Sequence, residues 1–226
     1  MAHESANLLN KLFLEVYRPG WENKTTKRVL EQGSGGVSDY RNMFTPEFEY
    51  SDYELENGSP VLTLPYESET FDVVISNSVF EHDTMFWLSF NELIRVLKPD
   101  GLLFITTPSN GPFHRYPVDC WRFYPDSAGA LVNWARHCGY ANVQLVESFT
   151  TEKYNDYWCD YVMVIIKDEQ HADQYPKRMA HNVSWSGITN ASVLGANSLI
   201  NYQHLPQDQR QIPQPIAVFP VELQIK

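Results

Sequence analysis

Cysteine is scarce in this chain, and the three present, Cys120, Cys138 and Cys159, are far apart and form no CxxC pair. That excludes a disulfide framework and a zinc cluster built on cysteine, and reduced thiols fit a cytoplasmic protein. No apolar run approaches the roughly 20 residues needed to cross a bilayer, so membrane insertion is not expected. The first residues, MAHESANLLNKLF, lack the basic flank and the unbroken apolar stretch of a secretory signal. Basic residues are also few: 17 Lys and Arg against 28 Asp and Glu, a formal net charge of −11. Such a surface repels phosphate backbones at long range, and a nucleic-acid partner is not expected.

What is present is ordinary globular material, 43% hydrophobic and 20% charged over 226 residues, enough for one domain with a real core. Leu8, Leu9, Leu12, Phe13 and Val16 recur at helical spacing, and Arg18-Pro19-Gly20 stops them, which predicts an N-terminal helix within residues 1–20. Lys27 to Gln32 reads as a buried strand entering a glycine turn, and Val37 to Phe44 as the helix after it. Strands are predicted at Phe48–Tyr53, Phe71–Ser76, Leu102–Thr106, Val143–Glu147 and Tyr161–Lys167. Thr84 to Leu97 carries an apolar helical face ended by Lys98-Pro99-Asp100-Gly101. Tyr124-Pro125-Asp126 opens another helix, which Gly139 ends.

This alternation predicts a Rossmann-like, doubly wound α/β domain over residues 1–167. Its sheet is expected to be mostly parallel, with helices on both faces and an antiparallel last strand. Residues 168–226 lose the pattern and become rich in Asn, Gln and Pro. They are expected to form an extension or arm and not an independent domain, and a homodimer could be built through it.

The segment Val29-Leu30-Glu31-Gln32-Gly33-Ser34-Gly35-Gly36 puts a G-x-G turn after a strand, at the sheet edge where such folds bind ligands. A dinucleotide would want a third glycine where Ser38 stands, and no acid beside its pyrophosphate. Glu31 instead favours a cationic ligand, and S-adenosylmethionine, with an ammonium and a sulfonium, fits better. Asp52, at the end of the second strand, is the expected partner of the ribose hydroxyls, with Glu54 as alternate.

The ordered trio VLEQGSGG, LPYESETFDVVISNSVFEH and ELIRVLKPDGLLFITTPS resembles the class I S-adenosylmethionine-dependent methyltransferases of the type 11 group, over about residues 27 to 167. The later stretch PSNGPFHRYPVDCWRFYPDS resembles a bacterial subgroup associated with glycan biosynthesis. The resemblance implies a methyltransferase whose methionyl moiety is surrounded by Glu31, Gly33, Ser34 and Gly35, with Asn77, Ser78 and Val79 also bordering the cofactor. It also implies a small-molecule or sugar-type acceptor, with O-methylation expected. One departure stands out: between Asp52 and Leu64 the chain is short and has no acid where relatives place one near the adenine amine. A silent, methyltransferase-like binding or scaffold protein is therefore the alternative.

Methyl transfer from a sulfonium depends mainly on alignment, and a hydroxyl acceptor gains from a base. In this fold Pro108 to Tyr124 would overhang the methyl group. There His114 is the expected general base because its ordinary pKa lies near neutrality, with Asp119 to orient it. Arg115 and Arg122 would hold an anionic part of the acceptor, and Tyr116 and Tyr124 would complete its contacts. His82 beside Asp83 lacks a third ligand at a compelling spacing, so no metal is expected. Trp87 and Trp134 are expected in the core.

Overall fold

In the computed structural model, residues 4–33, 40–44, 47–54, 58–153, 158–182 and 187–203 are described. Chain order gives α1 (Glu4–Tyr17), β1 (Arg28–Gln32), α2 (Tyr40–Phe44), β2 (Glu49–Tyr53), β3 (Phe71–Asn77), α3 (Phe86–Val96) and β4 (Leu97–Asn110). It continues with α4 (Ser127–His137), β5 (Gln144–Thr151), β6 (Cys159–Ile166) and β7 (Ile188–Val193). Four short 3-10 turns also occur, among them Phe80–His82 directly after β3.

One seven-stranded sheet runs β2-β1-β3-β4-β6-β5-β7. β1, β2, β3 and β4 are mutually parallel, and β6 lies antiparallel between β4 and β5. The fold is the mixed α/β architecture that the alternation of elements predicts, with one addition. β7 pairs antiparallel with β5, so residues expected to lie in an outlying arm form a strand of the same sheet. Polarity explains why sequence patterning missed it: ITNASV carries only alternating, weakly apolar residues, and its pairing depends on β5 already being in place. Glu147 of β5 anchors the preceding turn, its buried carboxylate accepting from Tyr17 Oη at 2.5 Å and from the backbone N–H groups of Met179 and Ala180 at 2.8 and 2.9 Å.

Successive residues of the central strands point to opposite faces, and each face has its own core. Val73, Ile75 and Phe104 meet Leu9, Phe13 and Tyr17 of α1. Val74, Leu103 and Ile105 meet Phe90, Leu93, Leu131 and Ala135 of α3 and α4. Phe13 stacks on Phe104 with ring centroids 4.2 Å apart, and fully burying such a ring stabilises by about 2–3 kcal/mol.

The Lys98-Pro99-Asp100-Gly101 stretch is not the free turn its composition suggests. It belongs to β4, and Leu97 pairs with Phe71 while Leu102 pairs with Val73, so the intervening residues bulge. Charge holds it in place. The buried carboxylate of Asp72 takes Lys98 Nζ at 2.8 Å, Lys24 Nζ at 2.7 Å and the Arg28 N–H at 2.9 Å. Among the described residues no helix is long and apolar enough to cross a membrane.

Candidate cofactor and acceptor site

The glycine turn leaves β1 beside the carboxyl end of β3. Gly33 has φ +75°, a left-handed conformation that glycine adopts without strain. It also has no room for a side chain: a Cβ there would lie 2.4 Å from Val79 Cγ2. Its N–H donates to the Tyr53 carbonyl at 2.7 Å, tying the turn to β2. Register sets Glu31 opposite Asp52, so both acids stand at the carboxyl ends of neighbouring strands, Glu31 buried and Asp52 exposed. Ser34 and Gly35, expected to hold the cofactor, lie outside the described residues.

Beyond β3, Ser78 has φ +52° and donates its N–H to the Thr106 carbonyl at 2.8 Å. Asn77 Oδ1 accepts from Thr106 Oγ1. The NSV segment is thereby pinned between the glycine turn and β4. The short stretch after β2 is held against α3, with the Val61 N–H on Ser89 Oγ at 2.7 Å and the Leu64 N–H on Glu92 Oε1 at 2.6 Å.

Gln32 and Ser76 are register partners on β1 and β3, both wholly buried. Gln32 Nε2, Gln32 Oε1 and Ser76 Oγ have no hydrogen-bond partner among the described residues. Buried polar groups are rarely left so, and each costs on the order of 1–3 kcal/mol unsatisfied. A donor and two acceptors waiting beside a G-x-G turn suit a ligand carrying both carboxylate and ammonium. This fits the amino-acid end of S-adenosylmethionine, and nothing in the sequence pattern had pointed to either residue as a contact.

The expected acceptor loop after β4 is braced by its own groups. Asp119 takes Arg122 in a two-pronged pair, 2.6 Å from Nη1 and 2.8 Å from Nη2, and also accepts the His114 N–H at 2.8 Å. Burial works against its charge, but Arg122 and that N–H outweigh it and hold Asp119 at about 2. Arg122 also donates to the carbonyls of Trp121 and Pro112. Both of its terminal nitrogens are thus engaged inside the loop, where Arg122 braces it. Arg115 and Tyr116 are exposed, Arg115 Nε on the Pro117 carbonyl at 3.2 Å. Trp87 and Trp134 are half-buried and not in the core. With Trp121 and Phe123 they line an apolar groove of about 430 Å³ against α3 and α4.

Folding brings Glu81, His82 and His114 together, with one ligating atom from each all within 4.8 Å of one another. Glu81 is wholly buried, Thr107 Oγ1 donates to its Oε2 at 2.9 Å, and burial pushes its carboxyl up to about 8. His82 Nδ1 sits 2.5 Å from the Val118 carbonyl, and burial lowers its pKa. The rings of His82 and His114 are 4.8 Å apart, and His114 also packs on Trp158 at 4.7 Å.

A cavity of about 230 Å³ opens over the ends of β4 and β5, the start of β6, and β7. Its wall mixes apolar surface, including Pro125, Cys159, Leu199 and the tyrosine rings, with hydroxyl and amide groups of Ser109, Asn110, Thr150, Thr189, Asn190 and Gln203 and the carboxylates of Asp126 and Glu152, and no Lys or Arg is among the described lining residues. Of the loop residues expected to touch the acceptor, Tyr124 alone lines it.

The sequence profile of the methyltransferase-domain family matches residues 46–105, from the approach to β2 through most of β4. Over those residues the chain carries an S-adenosylmethionine-dependent methyltransferase domain. Its fold agrees with that of a candidate sarcosine dimethylglycine methyltransferase from Galdieria sulphuraria, 13% identical, with a TM-score of 0.50 over 73% of this chain and 86% of that one. Also similar is a Burkholderia thailandensis 1,6-didemethyltoxoflavin-N1-methyltransferase crystallised with its substrate and S-adenosylhomocysteine. It is 16% identical, with a TM-score of 0.49 over 75% of this chain and 91% of that one. No curated protein sequence matches the chain. In this methyltransferase domain the matched stretch spans β2, β3 and α3, so the Asn77–Val79 border and the Glu81–His82 pair lie inside it, whereas His114 and the polar cavity lie beyond.

Proposed function

We propose that this protein transfers a methyl group from S-adenosylmethionine to a hydroxyl of a neutral, polyol-like small molecule or sugar unit. The observation that carries the reading is the cavity beside β4. Its described lining sets neutral donors and acceptors and two carboxylates among apolar surface and includes no cation, which suits a neutral acceptor with several hydroxyls and apolar C–H faces and disfavours a phosphorylated or acidic one.

The parts stand in line along the carboxyl edge of the sheet. The donor half, at the ends of β1 to β3, has Glu31, Gly33, Asp52, Gln32 and Ser76. The acceptor half lies over β4 to β7. Between them stand Glu81, His82 and His114, with Asp119 behind His114 at 3.4 Å. When bound, S-adenosylmethionine supplies an electrophilic methyl on sulfur. The chain's task is to align an acceptor oxygen with that methyl, exclude water and dispose of the hydroxyl proton, and alignment supplies most of the rate in such displacements. The three free cysteines fit a reducing compartment, and the reading places the protein in the cytoplasm. No dimer is built into it, because the part of the extension described as β7 joins its own sheet.

Two measurements test this. Calorimetry with S-adenosylhomocysteine should show one site of micromolar affinity. S-adenosylhomocysteine release should then be screened against neutral sugars, amino sugars, sugar phosphates and carboxylic acids. Turnover confined to the charged acids and phosphates would refute the acceptor class, and no binding of the homocysteine compound at millimolar concentration would refute the enzyme and favour the silent binding protein.

A further inference from the structure

We propose that Glu81, His82 and His114 form a binding site for a single first-row divalent transition-metal ion, zinc by its donor set, placed between the donor and acceptor halves. The geometry makes the case. The three ligating atoms lie within 4.8 Å of one another, and His82 Nε2 is 3.7 Å from Glu81 Oε1. Tetrahedral zinc ligands at about 2.0–2.2 Å from the metal stand roughly 3.4 Å apart, so small side-chain movements close the site.

Each member has an atom free for the ion or a second partner that aims it. Thr107 occupies Glu81 Oε2, while Oε1 of this wholly buried carboxylate has no hydrogen-bond partner among the described residues. The Val118 carbonyl can only accept, so His82 Nδ1 must carry the proton and its Nε2 presents a lone pair towards Glu81. A ligating histidine whose other nitrogen donates to a backbone carbonyl is the usual outer arrangement of metal sites. His114 Nδ1 likewise makes no hydrogen bond among the described residues and has Asp119 Oδ2 at 3.4 Å, placed to orient its ring.

Two imidazole nitrogens and one carboxylate oxygen suit zinc and its neighbours. Magnesium and calcium prefer all-oxygen shells. Three protein ligands leave a position open for an acceptor oxygen. The use of that position rests on the methyl-transfer reading above. A hydroxyl bound there loses its proton to solvent more readily. Its oxygen then forms the bond to the methyl carbon as the carbon–sulfur bond breaks, and the electron pair stays on sulfur. His114 would act as a ligand and not as the base.

The test uses the full chain, tag removed and metal-stripped, titrated with cobalt(II) and then zinc in the absence of methyl donor. One equivalent of cobalt should give visible ligand-field bands that zinc abolishes, and either ion should raise the thermal unfolding midpoint. Glu81→Gln and His114→Ala should each weaken cobalt binding by about 100-fold, at or beyond the upper end of what losing an outer partner costs. His114 is half-exposed on a loop, so its variant should fold even if the Glu81 one does not. Absence of saturable binding, binding unchanged in His114→Ala, or an intense sulfur-to-metal band from capture by Cys120 or Cys138 would each overturn the site. Calorimetry with S-adenosylhomocysteine on the same samples separates the two proposals. Metal binding without that ligand sustains the site and overturns methyl transfer, while ligand binding without metal does the reverse.

Discussion

The same strands end in two very different environments. At the amino edge of the sheet every strong polar group named here is matched. Asp72 has two lysines and a backbone N–H, Lys167 caps the carbonyls of Arg95 and Leu97, and Tyr175 Oη takes Trp21 Nε1 while donating to the Asp100 carbonyl. At the carboxyl edge Gln32, Ser76 and one oxygen of Glu81 are buried with no hydrogen-bond partner among the described residues. One end is closed by its own chain and the other is left for a ligand to complete. Stability and function are therefore stored at opposite ends of the same β-strands.

Substitutions can break that contrast. The largest effect is expected from Gly33→Val, which forces a side chain into Val79 and an unfavourable φ on the turn. Calorimetry should show S-adenosylhomocysteine affinity lower by about 100-fold or more, with a stability loss of about 2 kcal/mol in urea. Wild-type affinity in this variant would mean the turn does not meet the cofactor.

Asp72→Asn should do the opposite, costing about 2–3 kcal/mol in urea while leaving that affinity within twofold. The lysines outweigh burial and lower the Asp72 pKa, so its contribution is present above the ordinary aspartate value and lost as pH falls through the lowered one. The stability gap between wild type and variant should therefore shrink in acid, and a gap that widens there would contradict the pairing. Gln32→Leu removes orphaned polar atoms from the interior. It should stabilise the free protein by about 1 kcal/mol and weaken S-adenosylhomocysteine by about tenfold. Loss of stability together with unchanged affinity would mean that the amide serves the fold and not the ligand. The smallest change is expected from Tyr124→Phe at the cavity wall, a rise in acceptor KM of about 3- to 10-fold with donor affinity untouched. An effect on donor binding would show that the two halves are not separate.

Legibility in the sequence followed the same division. Strands buried on both faces, such as FDVVIS, announce themselves by continuous apolarity, and the α3 and α4 faces by their period, so most of the strands and the mixed α/β class could be anticipated. Glu31, Gly33 and Asp52 could be named as candidates because strand ends and glycine turns leave local marks, and the structure sets them at the ends of β1 and β2. Gln32 could not, because what distinguishes it is the lack of a partner, a property of the packed interior. Glu81 and His114 could be put together only in the folded chain, since no spacing relates two loops that follow different strands. The pairing of Arg122 with Asp119 was not legible for a related reason, because a free and a committed guanidinium look identical in sequence.

The strand built from residues 188–193 has a temporal consequence. It follows every other strand of the described residues, and Thr189 and Asn190 stand in the cavity wall, joined by Tyr202 and Gln203 after it. A chain emerging from the ribosome can therefore assemble the proposed methyl-donor half while the wall of the proposed acceptor cavity is still unmade. On that proposal, selection can rewrite which molecule is methylated by editing that late-arriving stretch, with the core beneath it left as it is.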